Sequence, residues 1–433
     1  MTYIELGDIC DISKGEIGIT KAIPGEYPMV TTGAERKSHN AFQLDTEAVL
    51  VPLVSATGHG HASIKRIHFQ EGKFAFGSIL AACVPKNNKY SAKFLYIYFQ
   101  LMKDYILVPL MKGSANVSLT LGNLKTAKVP DISREMQESI VKLYSTLKIE
   151  QDETISILSN QKSDIDSLRQ AILQEAVQGK LTVKWREANP SVEHASELLK
   201  RIEAEKQQLI AKKKIRREKA FPRIEDDEKE FNLPNGWIWC RFQQIFDIRD
   251  GTHDSPKDSS DTNSYPLITS KNFKEGNIDF DTARRISEAD YLKVIYRSKV
   301  HTGDILFSMI GGNIGNQVEV GDYTEFAIKN VALFKHYNSD TIAKGFLSVF
   351  SKFIAMSLQS HAAGGAQPFV SLKFFRNLVL GLPPKEEQQA IVGKVNSLMA
   401  LCDELEQEVD NSQSQIEQLM QSCLKEVFEQ ESN

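Results

Sequence analysis

No run of 18 apolar residues occurs anywhere in the 433-residue chain, so no membrane-spanning helix is expected. The opening Met1-Thr2-Tyr3-Ile4-Glu5-Leu6 lacks the basic-then-apolar pattern of a secretory leader. Cysteine is sparse: Cys10, Cys83, Cys240, Cys402 and Cys423 are scattered and odd in number. That excludes a disulfide framework, offers no metal-ligand spacing and suits a reducing cytoplasm. His59 and His61 have no third ligand at a recognisable distance, so no metal is expected. Positive charge is not in excess either, with 52 Lys and Arg against 56 Asp and Glu and a net charge of −4. The balance gives no general argument for nucleic-acid binding, yet it leaves room for a local basic cleft.

Catalytic signatures are missing as well. There is no Gly-x-x-x-x-Gly-Lys-[Ser/Thr] phosphate loop; Gln178-Gly179-Lys180-Leu181-Thr182 is only a superficial likeness. Asn189-Pro190-Ser191 and Leu382-Pro383-Pro384-Lys385 do not make the Asn-Pro-Pro-aromatic motif of amino-methyltransferases. Neither a Gly-x-Ser-x-Gly elbow nor a His-Glu-x-x-His helix is present. Chemistry by this chain alone is not expected.

What is present is one heptad written twice. Steps of four and three pick out Ile140, Tyr144, Leu147, Gln151, Thr154, Leu158, Gln161, Ile165, Leu168 and Ile172. Shifting each by 251 residues gives Ile391, Val395, Leu398, Cys402, Leu405, Val409, Ser412, Ile416, Leu419 and Cys423 without a gap. Such spacing places an apolar seam on a helix that needs a helical partner. At about 45 residues each, and 1.5 Å per residue, the helices would be roughly 65 Å long. Two in the same register can serve as each other's partner; the alternative is that each packs on its own domain.

The repeat extends beyond the helices. Cys10-Asp11-Ile12 with Gly15 is echoed by Phe246-Asp247-Ile248 with Gly251, and Tyr27-Pro28-Met29-Val30-Thr31-Thr32 by Tyr265-Pro266-Leu267-Ile268-Thr269-Ser270. Phe74-Ala75 returns as Phe326-Ala327, and Phe94-Leu95 as Phe346-Leu347. The offset drifts before settling, which predicts insertions in loops of the second repeat. In the first repeat a short helical turn within Ile4 to Ile12 leads into a strand. Strands follow at Tyr27 to Thr32 and Ala48 to Val54, then a helix over Ala92 to Leu107. Between the repeats, Ser191 is positioned to cap a helix through Leu198, Leu199, Ile202 and Leu209. That helix ends in the basic run Lys212, Lys213, Lys214, Arg216, Arg217 and Lys219, read either as a solvated helix end or as a docking segment. An acidic run, Glu225, Asp226, Asp227, Glu228 and Glu230, comes next, and Leu233-Pro234-Asn235-Gly236-Trp237 restarts a domain.

The reading is therefore a mixed α+β chain. Two similar α/β domains are joined by two long antiparallel coiled-coil helices about a pseudo-two-fold. The expected boundaries are 1–130, first domain; 131–180, first long helix; 181–235, charged linker; 236–385, second domain; 386–433, second long helix. Such a pair of heads at fixed separation suits a reader of two half-sites on duplex DNA, where one turn is about 34 Å. Since the heads differ in sequence, the half-sites would differ. The loops Ser55 to Arg66 and Lys112 to Asn116 in one repeat, and Gly311 to Gln317 and Gly364 to Gln367 in the other, carry glycines and polar groups able to approach bases or phosphates, or are ordinary surface turns.

This layout resembles the specificity subunit of type I restriction-modification systems. The resemblance covers nearly the whole chain and rests on the two domain-plus-helix repeats together with short motifs in order. These are Leu6-Gly7-Asp8-Ile9, Leu233-Pro234-x-Gly236-Trp237, and Leu382-Pro383-Pro384 followed by Glu386-Glu387-Gln388-Gln389-Ala390-Ile391-Val392. Ala62-Ser63-Ile64-Lys65-Arg66-Ile67 after Gly-His-Gly-His is a further likeness. The first repeat has a looser helix start, Val129-Pro130 and then Arg134-Glu135-Met136-Gln137-Glu138-Ser139-Ile140-Val141.

The resemblance implies a non-catalytic, cytoplasmic, prokaryotic DNA-binding subunit acting in host defence and DNA methylation. Each globular domain would be a target-recognition domain reading half of a bipartite target, and the helices would set the unread spacer. Two adenine methyltransferase subunits would dock around the helices and carry S-adenosylmethionine. Two restriction subunits with a translocating motor, using ATP and Mg, could join. No cofactor is expected in this chain. DNA contacts are expected from Thr32, Lys37, Ser55, Thr57, His59, His61, Lys65, Arg66, Lys112, Ser114 and Asn116 in the first domain. In the second they are expected from His253, Ser270, Lys271, Asn272, Asn313, Asn316, Lys329 and Gln367. The helix-pair interface would use Ile140, Tyr144, Leu147, Leu158, Ile165, Leu168, Ile172, Ile391, Val395, Leu398, Leu405, Val409, Ile416 and Leu419. Three alternatives stay open: a coiled-coil scaffold that reads no DNA, a nuclease with an unrecognised site, and a subunit of a methylation-only system.

Overall fold

The structure, a computed structural model, describes residues 2–57, 60–114, 116–217, 221–338, 340–362 and 369–429. Contacts divide the chain into two compact units, Met1–Gln161 with Glu408–Asn433, and Lys162–Gln407. Both mix helices and strands, as the sequence predicts for an α+β chain.

In the first unit Tyr3–Glu5 pairs antiparallel with Lys128–Pro130. The turn Leu6–Ile9 then feeds a four-stranded sheet in the order Cys10–Lys14, Leu80–Pro85, Ala48–Pro52, His68–Gln70. Ala48–Pro52 is buried at all five positions. Its unbroken apolar run, without in-and-out alternation, reflects burial on both faces. A second sheet holds Lys37–His39, Tyr27–Val30, Lys73–Phe76 and Leu44–Asp45, with Met29 opposite Ala75 in a parallel pair. Helix Ala92–Ile106 is capped by Ser91, whose hydroxyl accepts from the Phe94 amide. It buries Phe94, Leu95, Tyr98 and Phe99 against Val49, Val51 and Ala81.

The second unit repeats this register. Ile238–Arg241 pairs with Val379–Leu382, and the main sheet runs Phe246–Asp250, Val331–His336, Ile305–Ser308, Gln317–Glu319. Leu267 faces Ala327 in the matching parallel pair. His39 and Ile286 hold the same position, opposite Tyr27 and Tyr265 respectively. Leu50 opposite His68 corresponds to Leu306 opposite Val318. The drifting offset has a structural source richer than loop insertion. The second repeat adds a hairpin, Phe273–Lys274 with Asn277–Ile278, and a helix, Glu288–Ser298, capped by Ser287.

The linker helix spans Ala195–Ala211 and is capped by His194, whose Nδ1 accepts from the Ser196 amide at 3.1 Å, rather than by Ser191. The helix starts three residues later than expected, and an imidazole nitrogen rather than a serine hydroxyl serves its orphan amide. Lys219, in the basic run, lies outside the described residues.

The long helices are Arg134–Val177 and Lys385–Glu429. Each begins on a buried glutamine making the same bonds. Gln137 Oε1 accepts from the Ser91 amide at 2.9 Å and its Nε2 donates to the Ile132 carbonyl at 3.2 Å. Gln388 Oε1 accepts from the Ala343 amide at 2.9 Å and its Nε2 donates to the Pro383 carbonyl at 3.0 Å. The helix start of the first repeat, looser in sequence, is therefore tied to its domain by the same residue.

Within the second unit the two helices run antiparallel. Val177, at the end of the first, lies with Trp239, Leu380 and Gly381 around one cavity, beside the start of the second. Further out, Arg169 Nη2 bonds Asp403 at 2.6 Å and Glu406 at 2.8 Å. Ile165, Ile172, Ile391, Val395 and Cys402 are buried. In the first unit Ile140, Leu158 and Val409 are buried. Tyr144, Leu147, Leu398 and Ile416 are half-buried. Leu168, Leu405 and Leu419 are 46%, 45% and 63% exposed and depart from the predicted seam. A helix of 3.6 residues per turn drifts about 20° per heptad against a strict seven-residue repeat, so some seam positions rotate outward.

Candidate nucleic-acid interface

Two loops of the first unit are knitted into one rim. Ser55 N donates to the Val117 carbonyl at 3.0 Å, and Lys112 and Ser118 exchange both backbone bonds at 2.9 Å. Ser55 Oγ donates to the His61 carbonyl at 2.6 Å and accepts from the Ser63 amide at 3.1 Å. Thr57 Oγ1 and Ser63 Oγ lie 2.9 Å apart. Gly60 adopts φ +80, and a Cβ there would fall 2.5 Å from the Ser114 carbonyl oxygen. A side chain is therefore excluded by both conformation and space.

The structure thus brings Ser55, Thr57, His61, Lys112, Ser114 and Asn116 together. The hydroxyls of Ser55 and Thr57 hold the loop in shape, while His61, Lys112, Ser114 and Asn116 are exposed. His59 lies outside the described residues.

Beyond the rim the chain passes through exposed Lys65 and half-buried Arg66 into strand His68–Gln70. Exposed Lys37 opens its own strand, and Thr32 is exposed just past Tyr27–Val30. Sequence reasoning passed over Arg36, which is bound along that neighbouring strand at Gln70 Oε1 (2.8 Å), His68 Nδ1 (3.2 Å) and the Phe69 carbonyl (3.0 Å). Its only local signal was a place in the Glu35-Arg36-Lys37 string. Burial, then the charges of Arg36 and Arg66, push the His68 imidazole down to about 4, so it stays neutral and able to accept.

The second unit builds its own surface from corresponding segments. Thr252 bridges Lys329, whose amide donates to the Ile268 carbonyl at 2.8 Å and whose Nζ reaches Ser255 Oγ. His253 sits between Asp250 Oδ2 at 2.9 Å and Asn330 Oδ1 at 3.1 Å. Ser270 and Lys271 occupy the turn Ser270–Asn272 after the same strand end. Asn272 is buried, its Oδ1 accepting from the Thr269 amide at 3.0 Å, so its side chain closes that turn instead of facing outward. A side chain three residues into a tight turn is well placed to cap it, and that use consumes its acceptor.

Asn313 and Asn316 are exposed on a loop whose Gly315, at φ +86, lies against Ala355 of helix Phe346–Ala362. That loop is tied down where Ile310 bridges Phe369 and the Val370 amide donates to the Met309 carbonyl at 3.0 Å. Gln367 lies outside the described residues.

The two surfaces differ in charge. Arg297 is paired with Asp250, and Lys293 with Asp254 at 3.8 Å, so cations near the second are partly offset by carboxylates. Among the described residues no group of three or more His, Cys, Asp or Glu could hold a metal ion. No described helix is long and apolar enough to cross a membrane.

The family described as "Type I restriction modification DNA specificity domain" matches residues 1–165 and 234–417. The type I restriction enzyme EcoAI specificity subunit of Escherichia coli is 30% identical over 260 residues, 58% of this chain and 43% of that protein. The chain thus matches less than half the length of that relative. The type I restriction enzyme EcoDI specificity subunit of Escherichia coli is 25% identical over 432 residues, 98% of this chain and 87% of that protein. A solved structure, described as the structural basis underlying complex assembly and conformational transition of the type I R-M system, aligns with a TM-score of 0.59. It is 16% identical and is covered over 99% of this chain and 97% of its own, which shows a shared fold.

Proposed function

The chain belongs to the type I restriction modification DNA specificity family, and from that membership we propose that it directs a DNA-modifying complex to a bipartite target. The observation that carries this reading is the internal repeat. Two domains share the order and register of their main sheet, yet their loop rims differ in residues and charge. Equivalent scaffolds bearing different rims suit two different half-sites.

The first rim, with His61, Lys112, Ser114 and Asn116, reads one half. The second, with His253, Lys271, Asn313, Asn316 and Lys329, reads the other. The long helices set the unread spacer and dock two adenine methyltransferase subunits, which bring S-adenosylmethionine and the chemistry. Two restriction subunits using ATP and Mg join where cleavage is part of the system. The chain itself is non-catalytic and works in the cytoplasm of a prokaryote.

The test is purification of the tagged chain from its native cell, with mass identification, stoichiometry and mapping of methylated adenines. The expected result is two methyltransferase subunits per chain and a two-part methylated sequence that vanishes when this gene is deleted. A chain that purifies without a methyltransferase overturns the reading in favour of a scaffold.

A further inference from the structure

A guanidinium has five N–H donors, and Arg36 uses three of them on its neighbouring strand. All three acceptors are neutral: an amide oxygen, an imidazole nitrogen and a backbone carbonyl. Two donors remain, on an exposed residue whose plane is fixed by the other three. Among the described residues neither Arg36 nor Arg66 is paired with a carboxylate in the ion pairs of this domain. The charge of Arg66 nevertheless acts on both Arg36 and His68. A fixed, unneutralised cation, with a second cation two residues before the strand that holds it, is a site that lacks an anion. A fork held in place before binding loses little freedom when it engages an oxyanion.

The second domain supplies an internal comparison. Val318 stands in the register position of His68, and Val320, two residues on, in that of Gln70. Val318 and Val320 pack into an apolar core. In the first domain His68 is 3% exposed and its Nε2 has no partner among the described residues. A buried polar atom without a partner lowers stability. The fold tolerates valine at this register, so packing alone does not call for the imidazole. What the imidazole does is accept from Arg36.

We propose that Arg36, oriented by His68, Phe69 and Gln70, forms with Arg66 a binding site for a phosphodiester group of the DNA backbone, in the first domain only. The inference rests on the DNA-reading function above and adds a contact that fixes register without reading sequence. His68 and Gln70 are positioning residues, and Arg36 makes the contact.

The experiment uses the chain assembled with its co-purified methyltransferase. Affinity is measured for a duplex carrying the mapped target and for a scrambled duplex between 50 and 200 mM salt. Arg36→Ala is expected to weaken binding to both duplexes and to lower the salt slope by about 0.9. Over that range this removes roughly 3.5-fold of the salt-induced loss. Gln70→Leu keeps every charge but frees one edge of the fork. It should retain the slope while weakening both duplexes, a split that a purely structural role would not give.

An unchanged slope with Arg36→Ala overturns the inference, as does a loss confined to the target duplex, which marks a base contact. If Arg36→Ala fails to assemble, Arg66→Ala decides by the same slope criterion, and a Gln70→Leu complex that binds both duplexes as tightly as the unaltered chain overturns the inference. A wild-type complex with no preference for its methylated target overturns the underlying function instead, so the two failures are distinguishable.

Discussion

The indole nitrogen of Trp237 donates to Glu387 Oε2 at 2.8 Å. Two sequence motifs 150 residues apart, the Leu-Pro-x-Gly-Trp turn and the double glutamate at the start of the second long helix, thereby meet at one carboxylate. Glu387 is 1% exposed, and its other oxygen is bonded by Thr182 at 2.7 Å and by Arg186. Three segments of the second unit are pinned at this point. The first repeat has Met136 at the matching place, and Met136 is exposed.

Removing that carboxylate strands a half-buried guanidinium and a buried indole N–H. Glu387→Ala is expected to destabilise the second unit by about 1–3 kcal/mol for each hydrogen-bonding group left without its partner. Glu387→Gln keeps an acceptor and should cost less. Denaturant midpoints with unchanged slopes would check the order, and equal losses would show that the hydrogen bonds are immaterial.

Gln137 and Gln388 should behave alike. Each is fully buried; Gln388 bonds two backbone groups, and Gln137 bonds three, its Nε2 also donating to the Lys89 carbonyl at 2.9 Å. Leucine removes the partner of an amide and a carbonyl at Gln388, and of an amide and two carbonyls at Gln137, for a loss of about 1–3 kcal/mol per stranded group. Hydrogen exchange at Ser91 or Ala343 is the local readout, and protection retained in the leucine variant would contradict the assignment.

Gly60→Ala places a methyl against the Ser114 carbonyl in a backbone conformation that disfavours it. The cost is about 1–2 kcal/mol from conformation alone, before the clash. Because only the first rim is disturbed, discrimination at one half-site should weaken while the other persists. Methylation of duplexes mutated in each half separately measures this, and equal relaxation at both halves would refute independent rims.

Two buried histidines set a pH dependence. Burial holds His68 at about 4 in the first unit, with Arg36 and Arg66 adding to the effect, and burial aided by Lys335 holds His336 at about 4 in the second. The unfolded chain titrates near 6.5, so below that pH it binds more protons than the folded one. The stabilisation is complete above 6.5 and is lost as pH falls toward 4. Stability measured across this window should decline on acidification, and His336→Phe should flatten part of the decline.

The sequence by itself determined the repeat, the two long helices, the buried strands and the family. Each of these is a local or periodic signal. Ala48–Pro52 is apolar at every position because both faces are covered, and Ile391 and Val395 recur at helical spacing because one stripe is buried. Tertiary structure alone decided what polar side chains do. Asn272 looked like a loop contact and closes a turn; Arg36 drew no notice in the sequence and is fixed on a neighbouring strand. Gly60 and Ser114, 54 residues apart, touch only because Val54 and Lys112 both pair with Ser118. A hydrogen-bond partner is chosen by proximity in three dimensions, and no spacing along the chain encodes that proximity for a loop. Glu387 stands between the two cases: its motif was legible, and Trp237, Thr182 and Arg186 became its partners only on folding.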